Sequence, residues 1–229
     1  MSIYPQRAGP RYADRLAAGH ALAAALQQFA GRDDVVVLGL PRGGVPVAHE
    51  VAKSLAAPLD VFVVRKIGMP GHEEFAVGAI ASGGTQVLDE DLIRRYQLSE
   101  PAIEAVCRRE RIELERRERL YRAGRPLIAV EGRLVILVDD GLATGSTMRA
   151  AIQAVRDLRP SRIVVAAPVG AAETCRALAR MADAVICPFT PEPFSAVGLW
   201  YGDFSPTMDD EVRALLAMPT TGQRVKRRA

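Results

Sequence analysis

The stretch that decides the fold is Arg133-Leu-Val-Ile-Leu-Val-Asp139-Asp140-Gly141-Leu142-Ala143-Thr144-Gly145-Ser146-Thr147. It begins as a run of β-forming residues that ends in two carboxylates, and it continues as a short loop of small and hydroxyl residues. We predict that a helix begins after the loop, at about Met148. A buried strand that leads through such a loop to a helix N-terminus presents backbone N–H groups and can bind an anion. The two carboxylates can hold sugar hydroxyls or a hydrated Mg²⁺ ion.

The composition is typical of a globular protein that does not cross a membrane. The chain has 229 residues, of which 49% are hydrophobic and 25% charged, enough for one large domain. No apolar run approaches the roughly 18 residues of a transmembrane helix, and the N-terminal sequence lacks the apolar region of a signal peptide. We therefore expect a cytoplasmic protein. Its scattered cysteines and histidines lack the spacing of a zinc site, which indicates reduced structural thiols.

The net charge of +3 comes from the C-terminal tail. Residues 1–223 carry a net charge of −1, and the remaining charge is supplied by Arg224, Lys226, Arg227 and Arg228. We predict a single domain over residues 1–223 and a basic tail over 224–229. A basic tail can contact nucleic acid, but terminal segments are often charged without a partner. We favour the second interpretation.

Strand and helix patterns alternate on both sides of the opening stretch. Before it, helical spacing over 12–30 is followed by a strand–loop–helix–strand unit over 35–64, which predicts a parallel sheet with a right-handed crossover. After it, the patterns predict helices at 148–158, 171–181 and 208–218 and strands at 162–167 and 184–186. The predicted fold class is α/β, a Rossmann-like parallel sheet flanked by helices, with its core at about 31–187.

Two segments interrupt the alternation. Residues 65–75 carry charges and glycines without periodicity, which indicates a mobile loop, and residues 76–88 predict a short antiparallel hairpin. Residues 99–121 predict a long, charged helix with favourable i,i+4 pairs: Glu104/Arg108, Glu113/Arg117, Glu115/Arg119 and Glu118/Arg122. We interpret its arginines as a solvated, salt-bridged face or as a surface for a partner subunit, and we disfavour nucleic-acid binding.

A second candidate anion loop, Pro41-Arg42-Gly43-Gly44, also follows a buried strand and precedes a helix. In an open parallel sheet, such loops share the carboxyl edge, where ligands bind. Two anion loops with an acidic pair between them fit a ligand that has two anionic ends around a polyol. Phosphoribosyl pyrophosphate has this form.

Residues 135–147 resemble the phosphoribosyl pyrophosphate signature of type I phosphoribosyltransferases, in which two acids follow four apolar residues and precede Ala-Thr-Gly-x-Thr. The resemblance extends from about Val35 to Phe204. It implies the type I phosphoribosyltransferase fold, with a flexible loop or hairpin that opens at Arg65-Lys66. It also implies a small hood at about 188–205, completed by N- and C-terminal segments.

The resemblance also implies a role for each motif. Asp139 and Asp140 would be catalytic, holding the ribose hydroxyls directly or as ligands of Mg²⁺. Arg65 and Lys66 would be catalytic by adding positive charge where pyrophosphate leaves. Pyrophosphate would bind to Pro41, Arg42, Gly43 and Gly44, with a non-proline cis peptide expected within 40–42. The 5′-phosphate side of the ligand would bind to Gly141, Leu142, Ala143, Thr144, Gly145, Ser146 and Thr147.

The implied activity is Mg²⁺-dependent transfer of the 5-phosphoribosyl group from phosphoribosyl pyrophosphate to a nitrogenous base, with release of pyrophosphate. The alternative is a non-catalytic regulatory protein that binds phosphoribosyl pyrophosphate or a nucleotide. Ala143 stands where the 6-oxopurine enzymes carry an acid, which argues against hypoxanthine or guanine as the acceptor. Trp200 and Tyr201 are candidates for stacking on the base, with a place in the hydrophobic core as the alternative. Homodimer formation is left open.

Overall fold

The computed structural model describes residues 11–220. The basic tail predicted at 224–229 lies outside the described residues. The strands are β1 (Val35–Gly39), β2 (Leu59–Val61), β3 (Val64–Met69), β4 (His72–Ala81), β5 (Gln86–Leu88), β6 (Leu134–Val138), β7 (Arg162–Ala166) and β8 (Ala184–Ile186). The α-helices are α1 (Arg15–Ala25), α2 (Gly44–Leu55), α3 (Glu90–Arg95), α4 (Glu100–Arg122), α5 (Ser146–Asp157), α6 (Ala172–Leu178) and α7 (Asp209–Ala217). Within residues 11–220, none of these helices has the length and apolarity needed to span a bilayer.

The central sheet is parallel, with the strand order β2-β1-β6-β7-β8. Every residue of β1 and β6 is buried, because helices cover both faces of the sheet. Alternate residues of β1 enter different hydrophobic clusters, with Val35 and Val37 on one face and Val36 and Leu38 on the other. The predicted Rossmann-like α/β sheet is confirmed. Because β1 and β6 are neighbours, the loops that follow them lie side by side.

The prediction of a mobile loop at 65–75 is wrong, because these residues form β3, the turn after it and the first part of β4, which pair as an antiparallel hairpin. Strands β3 and β4 pair from Val64↔Ala81 to Met69↔His72, and β4 continues into the predicted pairing with β5. A tight turn at Pro70-Gly71 joins β3 to β4, and Gly71 has φ +82°, a conformation that glycine adopts easily. The charged residues at 65, 66, 73 and 74 concealed this hairpin in the sequence.

The long charged helix is real, but its arginines are not all solvated. Arg122 at its C-terminal end is 5% exposed. Its Nε donates to Oδ1 of Asp60 at 3.0 Å, and its Nη2 donates to the carbonyl oxygen of Val61 and to the hydroxyl of Ser82. This network ties α4 to β2 and to the end of β4. Among the residues described, the predicted i,i+4 pairs that form are Glu113–Arg117 and Glu118–Arg122.

The hood is a small hydrophobic cluster built from distant parts of the chain. Tyr12, Ala18, Val169 and Tyr201 form its buried centre, and partly buried side chains from 189–204 pack around them. A backbone bridge joins Tyr12 to Tyr201. Tyr12 and the α1 residue Ala18 therefore pack in the same cluster as Tyr201.

Candidate functional site

The loops after β1 and β6 meet at the carboxyl edge of the central sheet, and each leads directly into a helix. Gly43 lies so close to Asp140 that a Cβ there would collide with the carboxylate Oδ2 and stand 2.8 Å from Cγ. A Cβ on Gly44 would lie 2.7 Å from the carbonyl oxygen of Val138 and 2.9 Å from Cα of Asp139. Glycine at both positions therefore allows the two loops to enclose one site.

The loop before α2 has the backbone geometry that the resemblance implied. The peptide bond between Pro41 and Arg42 is cis, within the predicted window. The amide of Gly44 donates to the carbonyl oxygen of Leu40 at 3.0 Å, which closes the turn. The side chain of Arg42 is 44% exposed, and its only close carboxylate among the described residues, Asp209, lies 3.9 Å away. The guanidinium is therefore accessible to an anion.

The loop 141–147 opens α5 at Ser146, two residues earlier than predicted. The first backbone N–H groups of a helix have no partners within it, so this end of α5 can donate to an anion. Gly145 precedes the helix with φ +69°, where a larger residue would be strained. Ala143 is exposed, and its carbonyl oxygen accepts a hydrogen bond from the hydroxyl of Thr174 on α6. The loop is thus open to solvent on one side and fixed on the other by its hydrogen bond to α6.

Gly141 and Leu142 anchor this loop to the fold. Leu142 is 1% exposed, its amide donates to the carbonyl oxygen of Val169, and its own carbonyl oxygen accepts from the amide of Ala171. A Cβ on Gly141 would collide with the side chain of Val197 in the hood. Leu142 therefore uses its backbone N–H and C=O groups within the fold, and Gly141 can contribute to ligand binding only through its backbone.

Asp139 and Asp140 form an acid pair that is short of positive charge. Burial raises the pKa of Asp139 well above its usual range, and the neighbouring charge of Asp140 raises it further. Burial also raises the pKa of Asp140, while the Arg15 guanidinium acts in the opposite direction. The amide of Asp140 donates to Oδ1 of Asp139 at 2.9 Å. Such a pair favours a hydroxyl donor or a cation, which would stabilise its charged form.

The acid pair fits a magnesium ion only if other oxygen atoms complete the coordination. Within residues 11–220, no group of three or more His, Cys, Asp or Glu side chains is arranged to hold a metal. Mg²⁺ takes octahedral oxygen ligands, keeps several waters, and is commonly held by one or two carboxylates together with substrate oxygens. The residues present therefore fit an ion that is shared with a bound ligand.

Arg65 and Lys66 lie on opposite faces of β3, because successive side chains alternate along a strand. Arg65 faces α4, where its Nη2 lies 2.6 Å from Oε2 of the buried Glu110. Lys66 is exposed and lines a cavity of about 700 Å³ together with Ser146 and Arg149 of α5. The structure thus separates two residues that were expected to act together. Only Lys66 faces the side on which α5 begins.

Trp200 and Tyr201 lie within the hydrophobic cluster of the hood. Tyr201 is 5% exposed, its ring packs against Tyr12, and its hydroxyl donates to the backbone carbonyl oxygen of Asp140. Trp200 meets the ring of Phe189 edge-on at a centroid distance of 5.2 Å. Tyr201 is therefore a residue of the hydrophobic core and not a stacking residue, because its ring has no open face for a base. Its hydroxyl instead links the hood to the acid pair.

Residues 12–189 match the family model of the phosphoribosyl transferase domain. The chain belongs to the phosphoribosyl transferase family. The resemblance first seen at 135–147 is therefore confirmed for most of the described chain. The crystal structure of protein TT1426 from Thermus thermophilus superposes on this phosphoribosyl transferase domain with a TM-score of 0.80 and 45% identity, covering 90% of this chain and 97% of the other.

Two curated relatives extend this comparison. A provisionally named phosphoribosyl transferase of Mycobacterium tuberculosis is 50% identical over 203 residues, 89% of this chain and 46% of that protein. The bifunctional protein PyrR of Chloroflexus aurantiacus is 35% identical over 133 residues, 55% of this chain and 64% of that protein. The chain thus spans about half the length of the mycobacterial relative.

One residue of the candidate site, Arg15, was not found by sequence reasoning. Arg15, the first residue of α1, donates from Nε to Oδ2 of Asp140 at 2.9 Å, across 125 positions of sequence. The only local signal is the N-cap Asp14, which marks the start of a helix but says nothing about where the next side chain points. An alignment of relatives would be needed to find such a pair in sequences alone.

Proposed function

We propose that this phosphoribosyl transferase domain moves the 5-phosphoribosyl group from phosphoribosyl pyrophosphate to a nitrogenous acceptor, with release of pyrophosphate and with Mg²⁺ as cofactor. The observation that carries the proposal is the contact between Gly43 and Asp140. It brings two loops suited to anions against one acid pair, an arrangement that suits a sugar with a phosphate at one end and a pyrophosphate at the other.

Each end of this ligand has a matching group. The exposed Arg42 guanidinium and the backbone amides of Arg42 and Gly43, just ahead of α2, would bind pyrophosphate, because both present positive or partly positive N–H donors. The amides of 143–147 at the start of α5 would bind the 5′-phosphate. Asp139 and Asp140 would accept hydrogen bonds from the ribose hydroxyls. Lys66 would approach from β3 and add charge beside the phosphates.

The reaction needs no covalent nucleophile from the protein. The bond between C1 of the ribose and the pyrophosphate oxygen breaks, and positive charge develops at C1. The acceptor nitrogen forms the new bond and then loses its proton to solvent. The carboxylates would stabilise the cationic ribose, and Arg42 would stabilise the departing anion, which are electrostatic contributions of several kcal/mol. A bound Mg²⁺ ion would supply further positive charge to the pyrophosphate. Fixed positions of donor and acceptor would contribute a comparable amount.

The acceptor is the least specified part of the proposal. Ala143 offers no acid beside the base, which supports an acceptor other than hypoxanthine or guanine. The hood encloses the acid pair from one side, through the hydroxyl of Tyr201 and the side chain of Val197, so the acceptor would enter beneath it. The regulatory alternative is less well supported, because the accessible Arg42 and Lys66 are the groups that a reaction releasing pyrophosphate would use.

The test is pyrophosphate release from phosphoribosyl pyrophosphate and Mg²⁺, measured against a panel of purines, pyrimidines and simple amines. We expect release with at least one acceptor, and its loss in Asp139→Asn and Asp140→Asn. Asp157→Asn is the matched control, because Asp157 is an exposed carboxylate at the far end of α5. A protein that binds the ligand but releases no pyrophosphate with any acceptor would be regulatory. Unchanged ligand affinity in both site variants would disprove the proposed site.

A further inference from the structure

Arg15 is held in place by three separate contacts. Its Nε donates to Oδ2 of Asp140 at 2.9 Å, and its Nη1 donates to the carbonyl oxygen of Ser205 at 2.7 Å. Its Cζ lies 4.1 Å from the ring centroid of Phe204, within the range of a cation–π interaction. The side chain is 12% exposed. A guanidinium fixed in this way is a built part of the site and not a mobile surface charge.

The same contacts determine which oxygen of Asp140 remains free. Oδ2 is occupied by Arg15 and is closed off by Gly43, which leaves no room for even a Cβ. The backbone carbonyl oxygen of Asp140 is occupied by the hydroxyl of Tyr201. Oδ1 of Asp140 has no hydrogen-bond partner among the described residues. Asp139, in contrast, has no cation in contact within residues 11–220.

Arg15 also changes the charge of the pair. Two ionised carboxylates alone carry two negative charges, and the guanidinium reduces this to one. Opposite charges a few ångströms apart interact more strongly in a partly buried place than in water, so this difference is large enough to affect the binding of any cation.

We infer that Arg15 is a positioning residue of the ribose site, a role that rests on the proposed function. It holds Asp140 with Oδ2 bound to the protein, which leaves Oδ1 for the ligand, and it places a positive charge beside the acid pair. This charge lowers the affinity of the acid pair for a free divalent cation, so that the cation binds tightly only when a ligand contributes further oxygen atoms. Because Arg15 is also bound to Ser205 and Phe204, the hood and the ribose site are mechanically linked.

Arginine suits this role better than lysine. Its planar guanidinium donates in two directions at once and stacks on an aromatic ring, whereas a lysine ammonium is a single point charge. A lysine at this position would keep the charge beside Asp140, but it would not keep the simultaneous contacts with Ser205 and Phe204. The Arg15→Lys variant therefore separates the effect of charge from the effect of geometry.

The test uses Mn²⁺ as a probe for the cation and measures two affinities in the full chain. The first is the affinity for Mn²⁺ without phosphoribosyl pyrophosphate, followed by electron paramagnetic resonance. We expect it to rise about tenfold in Arg15→Met, because removal of a cation leaves a more negative pair. The second is the affinity for phosphoribosyl pyrophosphate at saturating Mg²⁺, which we expect to fall about tenfold. Arg15→Lys is expected to keep the wild-type Mn²⁺ affinity and to lose part of the ligand affinity.

Opposite changes in the two affinities are the signature of the inferred role. Arg32→Met is the matched control, because Arg32 forms an exposed ion pair with Asp34 away from the site, and it is expected to change neither affinity. A merely structural Arg15 would lower both affinities in Arg15→Met. Equal Mn²⁺ affinity in the wild type and in Arg15→Met, including binding too weak to detect in either, overturns the inference. Failure of the wild type to bind phosphoribosyl pyrophosphate would refute the proposed function, and the Mn²⁺ result would still decide the role of Arg15.

Discussion

Replacement of Gly43 by alanine is the most direct perturbation of the site. Gly43 has φ −61° and ψ −30°, a conformation that alanine adopts without strain, so the effect comes from the added methyl group. That group would collide with Oδ2 of Asp140 and lie 3.3 Å from Nε of Arg15. The carboxylate must turn away from the position in which it would meet the ribose. Overpacking of this kind costs about 1–3 kcal/mol.

Because the displaced atoms belong to the site, most of this cost is expected in ligand affinity. We expect the affinity of Gly43→Ala for phosphoribosyl pyrophosphate, measured by isothermal titration calorimetry, to fall roughly five- to 150-fold. Urea unfolding is expected to change much less. Gly44→Ala is the comparison, since its methyl group would press on the backbone at Val138 and Asp139, which cannot rotate away. That variant is expected to lose global stability.

A double-mutant cycle identifies Asp140 as the cause. In an Asp140→Ala background the carboxylate is absent, so the additional effect of Gly43→Ala on ligand affinity should nearly vanish. If the two substitutions are instead additive, the methyl group does not act through Asp140. Unchanged ligand affinity in the single variant Gly43→Ala would refute the contact between the two loops as the basis of the site.

Three further predictions concern the framework around the site. Arg122→Met leaves the buried Asp60 without its cation, and we expect a loss of about 3–5 kcal/mol in the free energy of unfolding measured with urea; a loss below about 1 kcal/mol would contradict the buried pair. Glu110→Gln removes the charged partner of Arg65, and we expect the hairpin to lose roughly 1.5–3 kcal/mol of stability against local opening. Amide hydrogen exchange in β3 and β4 should therefore become at least about tenfold faster. Unchanged exchange would show that α4 does not stabilise the hairpin. Burial, and then the hydrogen bond to a carboxylate, raises the pKa of Tyr121 to about 12, against about 10 in an unfolded chain. This stabilisation is complete below about pH 10 and is lost as the pH rises towards 12. Wild-type stability should therefore fall more steeply than that of Tyr121→Phe between about pH 10 and pH 12, and parallel stability curves in that range would refute the prediction.

The central sheet and its two loops were predictable because their signals are local. A buried parallel strand must be apolar on both faces, and the five-residue runs at 35–39 and 134–138 satisfy this without interruption. The loops that follow them contain the glycines and hydroxyl residues that a strand-to-helix turn needs. Neighbouring parallel strands bring their carboxyl ends together, so the meeting of the loops also followed from the pattern.

The hairpin at 64–81 was not predictable in the same way. Its first strand places Arg65 against the buried Glu110 of α4, so a charged residue occupies a position where strand patterns lead one to expect an apolar one. Only the turn sequence Pro70-Gly71 signalled the structure locally. The alternation along β3, which sends Arg65 and Lys66 to opposite faces, becomes visible only when the strand has been recognised.

The sequence by itself determined which chemical groups the site contains: two carboxylates, two loops rich in backbone donors, and the exposed cations beside them. The tertiary structure alone decided which contacts those groups make and which of their atoms remain accessible. It brought Arg15 to Asp140 across 125 positions, buried Tyr201 within the hood, and left Oδ1 of Asp140 without a partner among the described residues. The physical reason is that strand and loop patterns depend on neighbouring residues, whereas a contact between α1, the hood and the loop after β6 depends on how the whole chain packs.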